Sequence, residues 1–130
     1  MVLLDTHALI WWLLSPERLS ALARTAIEDA DEVFVSAVSI YEIDIKRQDL
    51  RARGRDSTLL RMPKNMPATL GLLGLSLLDI TPEAAWRAAL LPLHHRDPWD
   101  RILVAQADAH DLGLVSKDKA LKDYDVDLIW

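Results

Sequence analysis

The stretch Met1-Val-Leu-Leu-Asp-Thr-His-Ala-Leu-Ile-Trp-Trp-Leu-Leu14 indicates the fold of this 130-residue chain. Val2 to Leu4 is an apolar run that is too short for a helix, and it ends directly at Asp5. A short continuous apolar run is typical of a parallel strand that is buried on both faces. Residues 8–14 then have helical character up to the break at Ser15-Pro16. The sequence therefore predicts a strand that passes into a helix, with an aspartate at the junction.

The rest of the chain repeats this alternation of short apolar runs and helical segments. Further strands are predicted at residues 33–35, 77–80, 114–116 and 126–130. Helix starts are predicted at Ser20, at Ser36 or Ser39, at Thr81 and at Asp97. A strand over Ile43-Asp-Ile45 is the alternative to the second of these helices. Strands that alternate with helices predict an α/β fold with three layers, α/β/α, around a central, mainly parallel sheet of about five strands.

Length and composition limit the possible classes of protein. At 130 residues, we expect a single domain that spans residues 1–130. The chain has no cysteine, which excludes disulfides, thiolate metal sites and a cysteine nucleophile. No run reaches the roughly 18 apolar residues that cross a bilayer, and no basic leader precedes Asp5. We therefore expect a cytoplasmic protein with no signal peptide and no membrane contact.

Four acidic residues lie where predicted strands pass into helices. Asp5 directly follows the first strand, and Asp118 lies two residues beyond the fourth. Glu42 and Asp100 lie in the first turns of two predicted helices. Functional groups of open parallel sheets gather beyond the carboxyl ends of the strands, so we expect these four acids to converge.

Each acid also has a simpler interpretation as a helix cap. A carboxylate at a helix N-terminus accepts hydrogen bonds from free N–H groups and complements the macrodipole. Ser39-Ile-Tyr-Glu42 matches a capping box, and Asp97 is a cap ahead of Pro98. This interpretation explains each acid separately, but it does not require them to converge.

Convergence of the carboxylates would demand a cation. Two carboxylates about 4 Å apart repel by roughly 4 kcal/mol at an effective dielectric constant of 20. Oxygen ligands without thiolates favour Mg²⁺ or Mn²⁺. Such a site can activate water and stabilise charge on a phosphoryl group, as phosphodiester hydrolysis requires. Adjacent His94 and His95 lack the spacing of a histidine metal site.

Four segments resemble the successive blocks of the PIN domain, in the order that is typical of the family. They are Asp5-Thr-His-Ala-Leu-Ile-Trp-Trp-Leu13, Val35-Ser-Ala-Val-Ser-Ile-Tyr-Glu42, Leu91-Pro-Leu-His-His-Arg-Asp-Pro-Trp-Asp-Arg101 with Ala105-Gln-Ala107, and Leu114-Val-Ser-Lys-Asp118. The pattern is most similar to the VapC-type toxins of bacterial toxin–antitoxin pairs. The chain departs from the family pattern mainly between Gln48 and Leu75.

The resemblance implies a Mg²⁺- or Mn²⁺-dependent endoribonuclease, the toxin of a type II toxin–antitoxin system, which hydrolyses RNA by a metal-activated water. It assigns the catalytic and metal-binding positions to Asp5, Glu42, Asp100 and Asp118. It assigns supporting positions to Thr6, Asp97 and Ser116. The resemblance also implies a homodimer and a small VapB-like antitoxin, whose C-terminal segment lies over the acidic site.

Basic residues are concentrated in one part of an acidic chain. The net charge is −5, but residues 46–64 carry seven basic and two acidic residues. Within this part of the chain, Arg51, Arg53 and Arg55 are candidate contacts for RNA phosphates, as is Lys117 beside Asp118. The alternative is a solvated helix end and loop. For the whole chain, the alternative to a nuclease is a non-catalytic PIN-like binding or scaffold module, in which the acids serve as helix caps.

Overall fold

A computed structural model describes all 130 residues, with five parallel strands in one sheet. The strands are β1 (Val2–Leu4), β2 (Val33–Ser36), β3 (Ser76–Leu78), β4 (Gly113–Val115) and β5 (Leu128–Ile129). The helices are α1 (Thr6–Leu14), α2 (Ala21–Glu28), α3 (Ala37–Ala52), α4 (Met66–Leu72), α5 (Pro82–Leu90) and α6 (Pro98–Ala109). Short 3₁₀ turns cover Pro16–Arg18, Thr58–Arg61 and Lys119–Asp123. The strand order β3-β2-β1-β4-β5 places β1 at the centre.

The central strand divides the core into two clusters of buried side chains. Val2 and Leu4 belong to one cluster and Leu3 belongs to the other. Alternate side chains of a strand point to opposite faces of the sheet, so the two clusters lie on its two sides. The expected three-layer α/β/α architecture is therefore confirmed.

Side-chain caps fix where all six helices begin, and three of these caps lie near the acidic residues. Asp5 Oδ1 accepts a 2.6 Å hydrogen bond from the Ala8 N–H at the start of α1. Ser36 caps α3 and Asp97 caps α6, each by accepting the N–H two residues ahead. Because Ser36 is the cap, the capping box predicted from Ser39 to Glu42 does not form. Residues 43–45 are helical, so the alternative strand is wrong.

The connection between α5 and α6 is held by one buried arginine. The Arg101 guanidinium donates hydrogen bonds to the carbonyl oxygens of Ala88 at 2.8 Å, Leu91 at 2.7 Å and Pro92 at 2.9 Å. Its side chain is only 7% exposed. Several carbonyl acceptors satisfy the buried charge without a carboxylate partner. Arg101 therefore sets the path of the segment that carries His95.

Arg47 has a similar structural role in the basic part of the chain. It is buried, pairs with Asp44, and donates to the carbonyl oxygens of Met62 at 2.7 Å and Pro63 at 2.8 Å. These bonds attach the segment that follows α3 to the side of that helix. One of the seven basic residues is therefore fully used by the fold.

The six helices contain 7 to 16 residues. None of them combines the length and the apolar character that a membrane-crossing helix needs.

Candidate active site

An open cavity of about 710 Å³ lies at the carboxyl edge of the sheet. Five acidic side chains line it: Asp5, Glu42, Asp97, Asp100 and Asp118. The remaining lining residues are Thr6, His7, Trp11, Arg18, Lys46 and Lys117. The four acids predicted to converge therefore share one cavity, although up to 113 positions separate them along the chain.

Asp5 is held at the floor of this cavity by the end of β1. Its backbone N–H donates to the Val115 carbonyl at 3.0 Å, which continues the pairing of β1 with β4 beyond the last strand residue. Burial raises the pKa of the Asp5 carboxyl, against the opposing effects of the Ser116 hydroxyl and the Ala8 N–H. The nearby Glu42 carboxylate raises it further.

Glu42 lies in the second turn of α3, beyond the reach of the free N–H groups at the helix start. Its carboxylate accepts hydrogen bonds from the Thr6 hydroxyl at 3.2 Å and from Lys46 Nζ at 2.9 Å. The Thr6 oxygen is also 3.1 Å from Ser39 Oγ. Glu42 is therefore oriented by neighbouring side chains and is not a helix cap.

Asp100 is in the first turn of α6 but does not close a capping box. The N–H of Asp97, which such a carboxylate would accept, donates to His95 Nδ1 at 3.0 Å. Burial, together with the nearby Asp97, Asp5 and Glu42 carboxylates, raises the pKa of Asp100 to about 7, although His95 opposes the rise. Asp100 therefore carries the clearest electrostatic sign of convergence.

Asp118 differs from Asp5 and Asp100 because its pKa is lowered. Oδ1 accepts the Ala120 N–H at 2.9 Å, and Oδ2 lies 2.8 Å from His95 Nε2. Burial acts to raise its pKa, but the Ala120 N–H and His95 outweigh that effect and lower it. Asp118 therefore stays ionised at the more exposed side of the cavity.

His95 belongs to the site, although it was not among the residues predicted from the sequence. Nδ1 accepts the Asp97 N–H, so the ring proton is on Nε2, which faces Asp118 at 2.8 Å and Asp100 at 3.3 Å. In this tautomer His95 donates to the carboxylates and has no lone pair for a metal. The one signal was its position two residues before Asp97 in the His95-Arg-Asp-Pro-Trp-Asp100 segment.

The supporting residues named from the sequence lie where they could act. Thr6 contacts Glu42, and Asp97 lines the cavity beside Asp100. Ser116 directly follows β4 and is buried, and its Oγ accepts the Asp118 N–H at 3.1 Å. All three therefore touch or adjoin one of the four converging acids.

The candidate RNA contacts divide into two groups. Lys117 lines the cavity. Arg51, Arg53 and Arg55 lie at and beyond the last turn of α3, and none of them lines it. Glu42 and Arg51 are nine residues apart, which is about 13 Å along a helix axis. An RNA contact by these arginines therefore remains a prediction.

The chemistry of the site fits a divalent cation. Asp5 and Asp100 have no lysine or arginine partner within 4 Å, so their charge is not neutralised by the chain. Oxygen atoms of Asp100 and Asp118 lie within 4.8 Å of each other, together with His95 Nε2. Asp5 and Glu42 lie further from this pair but line the same space. An all-oxygen carboxylate set of this kind suits Mg²⁺ or Mn²⁺.

Comparison with known proteins identifies the family. The chain matches the PIN domain family over residues 2–127. The chain belongs to this family. It is also 36% identical to Ribonuclease VapC22 of Mycobacterium tuberculosis over 126 residues, which cover 95% of this chain and 91% of that protein.

Solved structures support the fold of this PIN domain. A toxin–antitoxin complex from Klebsiella pneumoniae has a chain that matches with a TM-score of 0.68 at 17% identity, covering 100% of this chain and 97% of that chain. VapBC2 from Rickettsia felis, bound to a DNA fragment from its promoter, matches with a TM-score of 0.64 at 12% identity and covers 98% and 97%. FitAcB from Neisseria gonorrhoeae matches with a TM-score of 0.59 at 18% identity and covers 98% and 96%.

The raised pKa of Asp100 predicts how the metal-free PIN domain responds to pH. Between the ordinary value of 3.8 and about 7, the folded state keeps a proton that the unfolded state has lost. The free energy of unfolding should therefore fall as pH rises from 5 to 7, by about 1 kcal/mol per pH unit. Thermal melts in EDTA from pH 5 to 8 would measure the slope, and Asp100→Asn should reduce it. An unchanged slope in Asp100→Asn, with the exposed Asp125→Asn as control, would contradict the assignment.

Proposed function

We propose that this PIN domain is a divalent-metal-dependent endoribonuclease and acts as the toxin of a type II toxin–antitoxin pair. The observation that carries the proposal is the position of Glu42 and Asp100. Neither carboxylate is used as a helix cap, yet both face a cavity that already holds two other acids. The 36% identity to a ribonuclease along almost the whole chain supports the same activity.

Asp5, Glu42, Asp100 and Asp118 are the residues that we propose as metal ligands and catalytic groups. A bound Mg²⁺ or Mn²⁺ would activate a water molecule and offset the negative charge that develops on the phosphodiester. The oxygen-only donor set and the unpaired charges of Asp5 and Asp100 favour these ions over zinc. The same charges repel RNA in the absence of a cation.

The remaining residues of the site keep the carboxylates in place. The Thr6 hydroxyl orients Glu42, and the Ala8 N–H fixes one oxygen of Asp5. The His95 Nε2–H holds Asp118 close to Asp100, because Nδ1 is engaged by the Asp97 N–H. Such prearranged oxygens lower the reorganisation that ion binding and catalysis require.

A small antitoxin is the proposed protein partner. One structural neighbour was solved as a toxin–antitoxin complex, and another, VapBC2, was solved bound to a DNA fragment from its promoter. An antitoxin segment that carries an arginine could neutralise the cavity as a cation does. A homodimer is a separate prediction, for which the exposed side chains of Trp86, Leu90 and Leu93 on and after α5 offer an apolar surface.

Cleavage of RNA by the purified chain tests the proposed function. With Mn²⁺ or Mg²⁺, a mixed set of single-stranded RNAs should be cut internally to leave 5′-phosphate and 3′-hydroxyl ends, and EDTA should stop the reaction. Calorimetry should detect Mn²⁺ binding that Asp100→Asn weakens at least tenfold, which is about 1.4 kcal/mol. A scaffold module would bind no Mn²⁺ through these acids and would cut no RNA. Cleavage that persists in EDTA and leaves cyclic phosphates would exclude the metal-dependent mechanism.

A further inference from the structure

A second cavity adjoins the active site and has the opposite charge. Its volume is about 500 Å³. It is lined by Ser116, Lys117, Lys119, Lys122, Leu128 and Trp130. Lys117 lines both cavities, so the two spaces meet at this side chain. No Asp or Glu side chain lines the second cavity, whereas five line the first.

The local backbone fixes two of these lysines on one side of a turn. Lys119 and Lys122 lie in the 3₁₀ turn Lys119–Asp123. Three residues complete one turn of a 3₁₀ helix, so side chains three positions apart project from the same face. Asp118 caps this turn, and Leu121 anchors it with a side chain that is fully buried. The lysine pair is therefore presented by an ordered element next to the active site.

None of the three lysines pairs with a carboxylate of the protein. None of their ammonium groups makes an ion pair or a side-chain hydrogen bond, and all three side chains are exposed. By contrast, Lys46, Arg53 and Arg87 each pair with a carboxylate four residues earlier in the chain. In a chain of net charge −5, three unpaired cations within six residues are available for an external anion.

Two neighbouring aromatic rings line the two cavities, Trp11 the first and Trp130 the second. The centroids of the Trp11 and Trp130 rings are 5.5 Å apart. Lys117 Nζ lies 5.8 Å from the Trp11 ring centroid, and Arg18 Cζ lies 4.9 Å from it. These cation–π contacts hold two positive groups at the rim of the acidic cavity. Trp130, which is partly exposed, presents an apolar surface to the second cavity.

We propose that the second cavity binds the part of a single-stranded RNA that flanks the scissile phosphodiester, with Lys119 and Lys122 contacting its phosphates. This inference rests on the proposed function, because it takes RNA as the substrate. Cations beside an aromatic surface are the usual means by which proteins hold single strands without reading their sequence. The shared Lys117 makes the path continuous, so a strand whose phosphate lies among the metal ligands has its neighbouring phosphates at the lysines. The acids alone would repel such a strand.

Binding of RNA in EDTA tests this inference without cleavage. A fluorescent single-stranded 12-mer would be titrated with wild-type protein and with Lys119→Gln/Lys122→Gln at several salt concentrations. Loss of two phosphate contacts should reduce the salt dependence, the slope of log K against log salt, by about 1.4. At low salt, we expect binding five- to tenfold weaker. The control Arg61→Gln/Lys64→Gln removes the same charge from exposed residues outside both cavities, and its slope should stay at the wild-type value.

The outcomes separate this inference from the proposed function. An unchanged slope in the lysine variant, or an equal loss in the control, would overturn the RNA subsite even where Mn²⁺-dependent cleavage is observed. A lysine-dependent slope without any cleavage would overturn the proposed function and leave the RNA subsite supported. A polyglutamate peptide should displace the RNA only weakly. Tight peptide binding that depends on Lys119 and Lys122, with no effect of these lysines on RNA, would indicate a protein partner and overturn the inference.

Discussion

Asp5→Asn and Asp100→Asn are each expected to reduce Mn²⁺-dependent RNA cleavage by a factor of about 10³ or more. Each change replaces a charged ligand by a neutral amide of nearly the same shape. Because the ion supplies several kcal/mol of charge stabilisation in the transition state, and each 1.4 kcal/mol is tenfold in rate, the loss should be large. Rates measured at saturating Mn²⁺ would distinguish lost catalysis from lost ion affinity.

The same two variants should remain folded and melt at or above the wild-type temperature in EDTA. Burial and neighbouring carboxylates raise the pKa of both aspartates, so their ionised forms destabilise the metal-free protein at neutral pH. Asp5→Asn also keeps an oxygen that can accept the Ala8 N–H. Asp125→Asn, at an exposed position outside the active-site cavity, is the matched control and should cleave normally. Unaltered cleavage in either test variant would refute the proposed site.

Arg101→Met is expected to lower the free energy of unfolding by about 3–5 kcal/mol. The change removes the donor of three carbonyl hydrogen bonds shorter than 3 Å, one in the last turn of α5 and two in the connection to α6. The Pro92 carbonyl keeps the Tyr124 hydroxyl as a donor at 2.8 Å, whereas the carbonyls of Ala88 and Leu91 lose this donor, at a cost of about 1–3 kcal/mol each. Urea unfolding of the metal-free protein would measure the change.

The exposed neighbour Arg96→Met is the control, and its effect should stay within about 0.5 kcal/mol. Loss of Arg101 should also impair cleavage in any fraction that folds, because the segment it holds carries His95 and Asp97. A loss of stability below about 1 kcal/mol in Arg101→Met would show that the loop is held by other contacts.

Local signals in the sequence were sufficient to predict the strand–helix junctions. Asp5 follows β1 directly, and the cap and proline at Asp97-Pro98 start α6 as expected. Such features depend on neighbouring residues only, and parallel topology then brings the junctions to one edge. The convergence of Glu42 with Asp5 therefore follows from local sequence signals and parallel topology alone.

Features that depend on distant pairing could not be predicted. Ser36 and Ser39 both looked like caps, and the choice follows from β2 continuing to Ser36, which pairs with Leu78 of β3. The role of His95 depends on a carboxylate that lies 23 positions later. Likewise, the burial of Arg47 depends on carbonyl groups 15 and 16 residues away. Arg47 lies in the basic part of the sequence, so it looked like one more exposed charge.

The shortness of the outermost strands bears on how the protein behaves when it is unpartnered. β3 has three residues and β5 has two, so each border of the sheet offers few free N–H and C=O groups. Long, flat edge strands are the sites at which other chains add strands and aggregation begins. Aggregation of the isolated protein is therefore expected to begin at the exposed apolar side chains of Trp86, Leu90 and Leu93. Replacing those side chains with polar ones should therefore keep the isolated protein in solution.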